Sequence, residues 1–219
     1  MSLSIKKRVL NSSISIGSYD SFVRELLDVS KNRTFNYVCV SNVHMLIEAY
    51  KDPDFATVVN NAEVVTPDGM PIVKSLQLLY GIKQDRVAGM DLMPDLMDAC
   101  AKEKMSIFLY GSTEETLRKI KKRAEIDYPG LILYTYSPPF KDLTEKEKKD
   151  VIHYINNKKP NFVFVSLGCP KQEKWMAENK DKIYSCLIGL GGAFDVYAGT
   201  SEIVEEIFSD KYFVFNIVG

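Results

Sequence analysis

Short apolar runs alternate with amphipathic stretches along most of the 219-residue chain. From residue 106 onward the apolar runs are rich in β-branched and aromatic residues, which predicts strands buried on both faces. These runs cover residues 106–110, 131–136, 162–167 and 186–189. A stretch with helical spacing of its apolar residues separates each run from the next. Strands and helices in alternation predict a parallel sheet with right-handed crossovers.

The first part of the chain contains the same two patterns in a less regular order. Strands are predicted at residues 12–16, 37–40 and 63–65, and helices at 19–30, 44–50, 52–61 and 72–80. These strands either form a small cap or extend the main sheet. We therefore expect an α/β fold, a Rossmann-like parallel sheet flanked by helices. Its expected parts are a smaller N-terminal α+β portion over residues 1–65, a nucleotide-binding and catalytic portion over 66–200, and a tail over 201–219.

Composition excludes several classes of function. Lys and Arg total 28 against 29 for Asp and Glu, so the net charge is −1 and no basic field suggests nucleic acid. The 4 cysteines are scattered, no CxxC pair exists and there are only 2 histidines, so we expect no metal site and no disulfide framework. The N-terminus lacks the apolar stretch of a signal peptide, and no segment approaches a spanning helix. A cytoplasmic location is the simplest interpretation.

The best candidate for a binding element lies at the end of the apolar run 162–167. Gly168 allows unusual backbone angles, and Pro170 suits the first turn of a helix. The polar residues 171–173 then fall at a helix N-terminus, on the sheet edge where α/β proteins bind ligands. A helix N-terminus with a lysine favours an anion such as phosphate. The alternative is an ordinary strand–turn–helix with a solvated first turn.

Two further loops follow predicted strands at the same edge, at residues 111–112 and 189–195. Three such loops together favour a nucleotide or sugar-phosphate site. The glycine-rich loop 189–195 does not match the dinucleotide fingerprint, because Phe194 stands where Gly or Ala is needed. The chain also has no GxxxxGK[ST] motif. A nicotinamide-dependent dehydrogenase is therefore disfavoured.

Two charged residues in the first half are candidates for chemistry. Asp68 lies in a Thr-Pro-Asp-Gly turn among apolar residues, and is either a general base with a raised pKa or part of a common turn. Arg86 either holds a phosphate or carboxylate with its planar fork, or pairs with Asp85 or Asp91. Asp91 is also expected to N-cap the helix that follows it.

Four of these motifs, in this order, resemble the WecG/TagA/CpsF glycosyltransferase family. They are residues 66–73 (TPDGMPIV), 86–92 (RVAGMDL), 168–175 (GCPKQEKW) and 191–195 (GGAFD). The resemblance covers roughly residues 37–200 and is specific, because it does not depend on any single motif.

The resemblance implies an inverting, metal-independent transferase without a cofactor. It would move a hexose or N-acetylhexosamine from a UDP-sugar to a polyprenyl-pyrophosphate-linked sugar at the inner membrane face, for cell-surface polysaccharide or teichoic acid. A homo-oligomer is compatible with it. Two other functions remain open: a UDP-binding module without catalysis, and an enzyme that processes UDP-sugars without a lipid acceptor.

The resemblance also implies roles for individual residues. Asp68 matches the proposed base and Arg86 a phosphate-binding arginine, and Asn42 completes the implied catalytic set. The implied donor-binding residues are Gly111, Gly168, Pro170, Lys171, Gln172, Glu173, Gly191 and Asp195. The chain departs from the family pattern at two places. Val40-Ser41-Asn42 replaces a common Thr-Pro-Asn, and the tail 201–219 is acidic and then apolar where relatives have a basic, membrane-binding tail.

Overall fold

The computed structural model describes residues 5–32 and 36–200. The strands of these residues are β1 (Lys6–Val9), β2 (Ser12–Ser15), β3 (Asn36–Ser41), β4 (Val64–Pro67), β5 (Ser106–Gly111), β6 (Ile132–Tyr136), β7 (Phe162–Ser166) and β8 (Cys186–Gly189). The helices are α1 (Tyr19–Asn32), α2 (Val43–Lys51), α3 (Pro53–Asn60), α4 (Met70–Tyr80), α5 (Gly89–Lys102), α6 (Glu114–Asp127), α7 (Glu145–Lys158), α8 (Lys171–Asn179) and α9 (Ala193–Ala198).

Six strands form one parallel sheet in the order β4-β3-β8-β7-β5-β6. The register pairs Ser41 with Pro67 and Cys39 with Gly189, and it pairs Val165 with Gly189 and Gly111 with Ser166. The strand ends of β4, β3, β8, β7 and β5 therefore meet at one edge. The predicted α/β class and parallel sheet are confirmed.

Alternate residues of each central strand enter two separate hydrophobic cores. In β5, Ile107 and Leu109 face one core, and Phe108 and Tyr110 face the other. The first core is completed by α1, α5, α6 and α9, and the second by α2, α3, α7 and α8. Burial on both faces explains why these strands read as continuous apolar runs rather than as alternating ones.

The N-terminal hairpin of β1 and β2 was not fully predicted. Lys6–Val9 reads as mixed and charged, yet it pairs antiparallel with the predicted strand Ser12–Ser15. The hairpin lies against the main sheet, where the backbone N–H of Val65 donates to Ser15 Oγ at 3.1 Å. The division at residue 65 stays a prediction, and the structure places strands from both sides of it, β3 and β8, next to each other.

Two local predictions near helix starts are wrong. Helix α5 begins at Gly89 after Ala88, so Asp91 lies inside its first turn and is not the N-cap. Helix α9 begins at Ala193, so the glycine-rich loop ends there and Asp195 is helical. The predicted tail 201–219 lies outside the described residues. Within the described ranges, no helix is long and apolar enough to cross a membrane.

Candidate functional site

Hydrogen bonds at the ends of β3 and β4 bring the three predicted catalytic residues to adjoining loops. The backbone N–H of Asp68 donates to the carbonyl of Ser41, next to Asn42, at 2.9 Å. The loop that carries Arg86 is tied to the same place, because the N–H of Val87 donates to the carbonyl of Pro67 at 2.9 Å. The hydroxyl of Thr66 donates to the carbonyl of Val87 at 3.0 Å. We call these adjoining loops, residues 41–42, 67–68 and 86–87, the Asp68 cluster.

Asp68 and Asn42 occupy turns that each open a helix. Asp68 is half-buried and precedes Gly69, the N-cap of α4. Asn42 is exposed and caps α2, where its side-chain oxygen accepts from the N–H of Met45 at 3.0 Å. The buried Ser41 hydroxyl has no hydrogen-bond partner among the described residues. Ser41 precedes Asn42 and occupies the position where the family pattern often has proline.

Arg86 forms the ion pair that the sequence left as one alternative. Its Nη2 donates to Asp91 Oδ2 at 2.8 Å, and the two side chains are 38% and 48% exposed. Exposed pairs of this kind contribute little stability, about 0–1 kcal/mol. The guanidinium is therefore held by a weak contact that an anionic ligand can replace. Its phosphate-binding role stays a prediction.

The first turn of α8 contains a buried polar pair, so the alternative of a solvated first turn is wrong. Gln172 is 4% exposed and Glu173 is 0% exposed. Gln172 Nε2 donates to Glu173 Oε1 at 2.7 Å. Lys171, the first residue of the helix, is exposed, and Pro170 is its N-cap. The Gln172 backbone N–H donates to the carbonyl of Gly168 at 2.8 Å, which fixes the turn.

Glu173 is a buried carboxyl group in a weakly polar environment. Burial raises its pKa, and the hydrogen bond from Gln172 offsets part of that effect. The thiol of Cys169 and the imidazole of His44 act in the same direction as Gln172. The sequence pattern contained no sign of this burial. His44, on α2, also acts electrostatically on this carboxyl group.

Two glycines of β8 and its following loop allow the pair to fit. A Cβ atom on Gly189 would lie 3.1 Å from Gln172 Nε2 and 3.3 Å from Glu173 Oε1. A Cβ atom on Gly191, which has φ +49°, would lie 3.4 Å from Gln172 Oε1. A Cβ on Gly192 would have no atom within 4 Å, so this part of the loop is open to approach.

Gly111 and Asp195 both have structural roles near the candidate site. A Cβ on Gly111 would overlap the carbonyl oxygen of Ser166, whose backbone belongs to β7. Asp195 Oδ1 accepts from the hydroxyl of Thr116 at 3.3 Å and from that of Thr200 at 3.2 Å. Both residues therefore have structural contacts, and their nucleotide-binding roles stay predictions.

A cavity of about 730 Å³ lies outside this group of residues. Its walls come from the start of α6 and the end of β6, and include Arg118, Lys121 and Tyr136. None of the predicted site residues lines it. The chemistry of the candidate site is thus concentrated on the strand ends of β4, β3, β8 and β7 rather than in this cavity.

Comparison with known proteins gives this edge of the sheet a family context. The sequence profile of the glycosyl transferase WecG/TagA/CpsF family matches residues 7–211. An N-acetylglucosaminyldiphosphoundecaprenol N-acetyl-beta-D-mannosaminyltransferase of Bacillus spizizenii is 30% identical over 184 residues, which is 82% of this chain and 69% of the relative. Proteins of the same name from Bacillus subtilis and Staphylococcus aureus are 31% and 26% identical, over 72% and 78% of this chain. The matched stretches cover 60% and 66% of those two relatives. The chain belongs to the WecG/TagA/CpsF family of glycosyl transferases.

Proposed function

We propose that the protein transfers an N-acetylhexosamine, with N-acetylmannosamine as the first candidate, from a UDP-sugar to a polyprenyl-diphosphate-linked N-acetylglucosamine. The names of the relatives support this donor sugar and this acceptor. We further propose that transfer inverts the anomeric centre and that it occurs at the inner face of the membrane, for cell-surface polysaccharide or teichoic acid.

The observation that carries the proposal is the Asp68 cluster. A half-buried carboxylate, an exposed amide and a replaceable arginine meet at one sheet edge because three loops are tied by backbone hydrogen bonds. In the proposed reaction Asp68 accepts the proton of the acceptor hydroxyl as that oxygen attacks the anomeric carbon. Asn42 orients the acceptor or the donor sugar.

The departing UDP needs positive charge, which Arg86 and Lys171 supply in this proposal. The N-terminus of α8 adds the positive end of its dipole. Gln172, Gly191 and Asp195 serve the nucleotide. Within residues 5–32 and 36–200, no group of three or more His, Cys, Asp or Glu side chains is placed to hold a metal ion. We propose metal-independent transfer, and activity that survives excess EDTA is the expected result.

The test is a transfer assay with a panel of UDP-sugars and polyprenyl-diphosphoryl-N-acetylglucosamine, read by mass spectrometry of the lipid product. Asp68→Asn is expected to lower the rate at least about 100-fold, the usual contribution of a general base. Its affinity for UDP, measured by calorimetry, should stay within about twofold of the wild type.

Asp181→Asn is the matched control, because Asp181 is an exposed aspartate that precedes β8 at the opposite edge of the sheet. It should transfer at the wild-type rate. Full activity of Asp68→Asn would exclude Asp68 as the base. Donor consumption that needs no lipid acceptor would identify a UDP-sugar hydrolase instead, and UDP binding without any consumption would identify a binding module.

A further inference from the structure

Two oxygens of the pair on α8 are buried without a partner. Gln172 Oε1 and Glu173 Oε2 have no hydrogen bond within the described part of the chain. The Cys169 thiol lies near the carboxylate, but it is a weak donor and does not satisfy Glu173 Oε2. A buried acceptor without a donor typically costs about 1–3 kcal/mol. Such atoms in a native fold call for a physical explanation, and a missing ligand is one.

The position of Gln172 Oε1 points to a ligand rather than to a packing defect. A Cβ atom on Gly191, in the loop that follows β8, would lie 3.4 Å from this oxygen. The neighbouring Gly192 has open space on the side where a Cβ would stand. The oxygen therefore lies beside a loop of the same sheet edge that carries the Asp68 cluster.

The chemistry of Glu173 decides which end of the Gln172 amide faces that edge. Gln172 Nε2 donates to Glu173 Oε1, so the amide turns its NH₂ group toward Glu173 and its oxygen away from it. The titratable groups that face Glu173 are Cys169 on the preceding loop, Cys39 on β3 and His44 on α2. Among these groups and Gln172, the donor to Glu173 Oε1 is Gln172 Nε2.

We propose that Glu173 is a positioning residue that fixes the amide orientation of Gln172, so that Gln172 Oε1 accepts a hydrogen bond from an N–H or O–H group of the bound sugar nucleotide. The inference rests on the proposed function, because it takes a UDP-sugar as the ligand. It adds a role for a carboxylate that does not itself contact the ligand.

Glu173→Gln tests the proposal with almost no change in side-chain shape. A glutamine at position 173 both donates and accepts, so either orientation of the Gln172 amide is satisfied. Affinity for the ligand should fall about twofold if the orientations become equal, and up to about tenfold if the reversed one prevails. Calorimetry with UDP and with UDP-N-acetylmannosamine measures this loss.

A double-mutant cycle separates positioning from a general structural effect. Gln172→Ala removes the acceptor, so adding Glu173→Gln to it should cause no further loss of affinity. Additive losses would overturn the proposal, as would affinities for both ligands that equal those of the wild type in Glu173→Gln alone. Melting temperatures of all four proteins provide the structural control, and Glu173→Gln should not melt below the wild type at pH 7.

The donor group is identified by a third ligand. If the uracil N3–H is the donor, N3-methyl-UDP should bind wild type and Glu173→Gln equally, whereas UDP discriminates between them. If a sugar hydroxyl or acetamido N–H is the donor, only the UDP-sugar should discriminate. Failure of the wild type to bind any of the three ligands would overturn the proposed function, and this inference with it.

Discussion

Gly111→Ala should disrupt the contact between the ends of β5 and β7 at the candidate site. Gly111 ends β5 with φ +108°, a backbone conformation that L side chains rarely adopt. Its added Cβ would overlap the carbonyl oxygen of Ser166 and lie 2.7 Å from that carbonyl carbon. The same oxygen accepts the backbone N–H of Ser112 at 2.8 Å. Because the obstacle is backbone, no side-chain rotation relieves it.

The expected magnitude has two parts. Left-handed strain of an alanine at this φ costs about 1–3 kcal/mol. Forcing an extra methyl group against packed backbone adds about 1–3 kcal/mol. Gly130→Ala isolates the first part, since Gly130 has φ +90° but no atom within 4 Å of its Cβ position. The difference between the variants is therefore the clash alone, about 1–3 kcal/mol.

Thermal unfolding of both variants measures this difference. For a chain of this size about 1 kcal/mol corresponds to 2–4 °C, so Gly111→Ala should melt roughly 2–12 °C below Gly130→Ala. UDP affinity should fall only in Gly111→Ala, because Gly130 precedes β6 at the other edge of the sheet. Equal melting temperatures of the two variants would refute the clash at Ser166 and with it the close approach of the ends of β5 and β7.

Three further predictions concern the pair on α8 and one helix cap. Gly189→Ala should weaken UDP binding and destabilise the fold by about 1–3 kcal/mol, because its Cβ would press on the buried pair. Gly192→Ala is the control, and calorimetry and thermal melts should show unchanged affinity and stability for it. The Thr144 backbone N–H and hydroxyl both donate to the Glu147 carboxylate and hold its pKa at about 2, so Thr144→Ala, which removes only the hydroxyl, should raise that pKa part of the way toward 4.5 in an NMR titration. Burial raises the pKa of Glu173 in the folded state, so its contribution to stability is full below about pH 4.5 and is lost as the pH rises through the raised value. Glu173→Gln lacks this loss, so its melting temperature should rise relative to that of the wild type as the pH increases above about 4.5. A constant difference in melting temperature between pH 4 and pH 8 would contradict a raised pKa for Glu173.

The strands of the sheet were predictable because burial on both faces leaves a signal in the local sequence. β7 and β8 are apolar runs that end at glycines, and the structure places them as expected. β1 was not predictable in this way, since Lys6–Val9 is charged and partly exposed. Its pairing with β2 comes from a hairpin at the edge of the protein, where the apolar pattern is weak.

The placement of the candidate loops was predictable, but their burial was not. Strand ends followed by glycines and polar residues indicated loops at the carboxyl edge of the sheet, and the structure has them there. Ligand binding at this edge stays a prediction. The burial of Gln172 and Glu173 depends on Gly189, the last residue of β8, and on Gly191 in the loop that follows it. A contact between residues so far apart in sequence leaves no periodic pattern. The same limit applies to His44, which acts electrostatically on Glu173 from another helix.

The order of the strands separates the two halves of the proposed reaction. Asp68 follows β4, and the buried pair on α8 lies under β8, so two strand spacings, roughly 10 Å, divide β4 from β8. An inverting transfer needs the base and the leaving nucleotide on opposite sides of the sugar that moves. In the proposed reaction Asp68 and Gln172 therefore act from separate elements, with Asn42, which follows β3, between them. Positioning of Gln172 by Glu173 then serves the nucleotide half alone, which is why its loss should change affinity for the donor without removing the base.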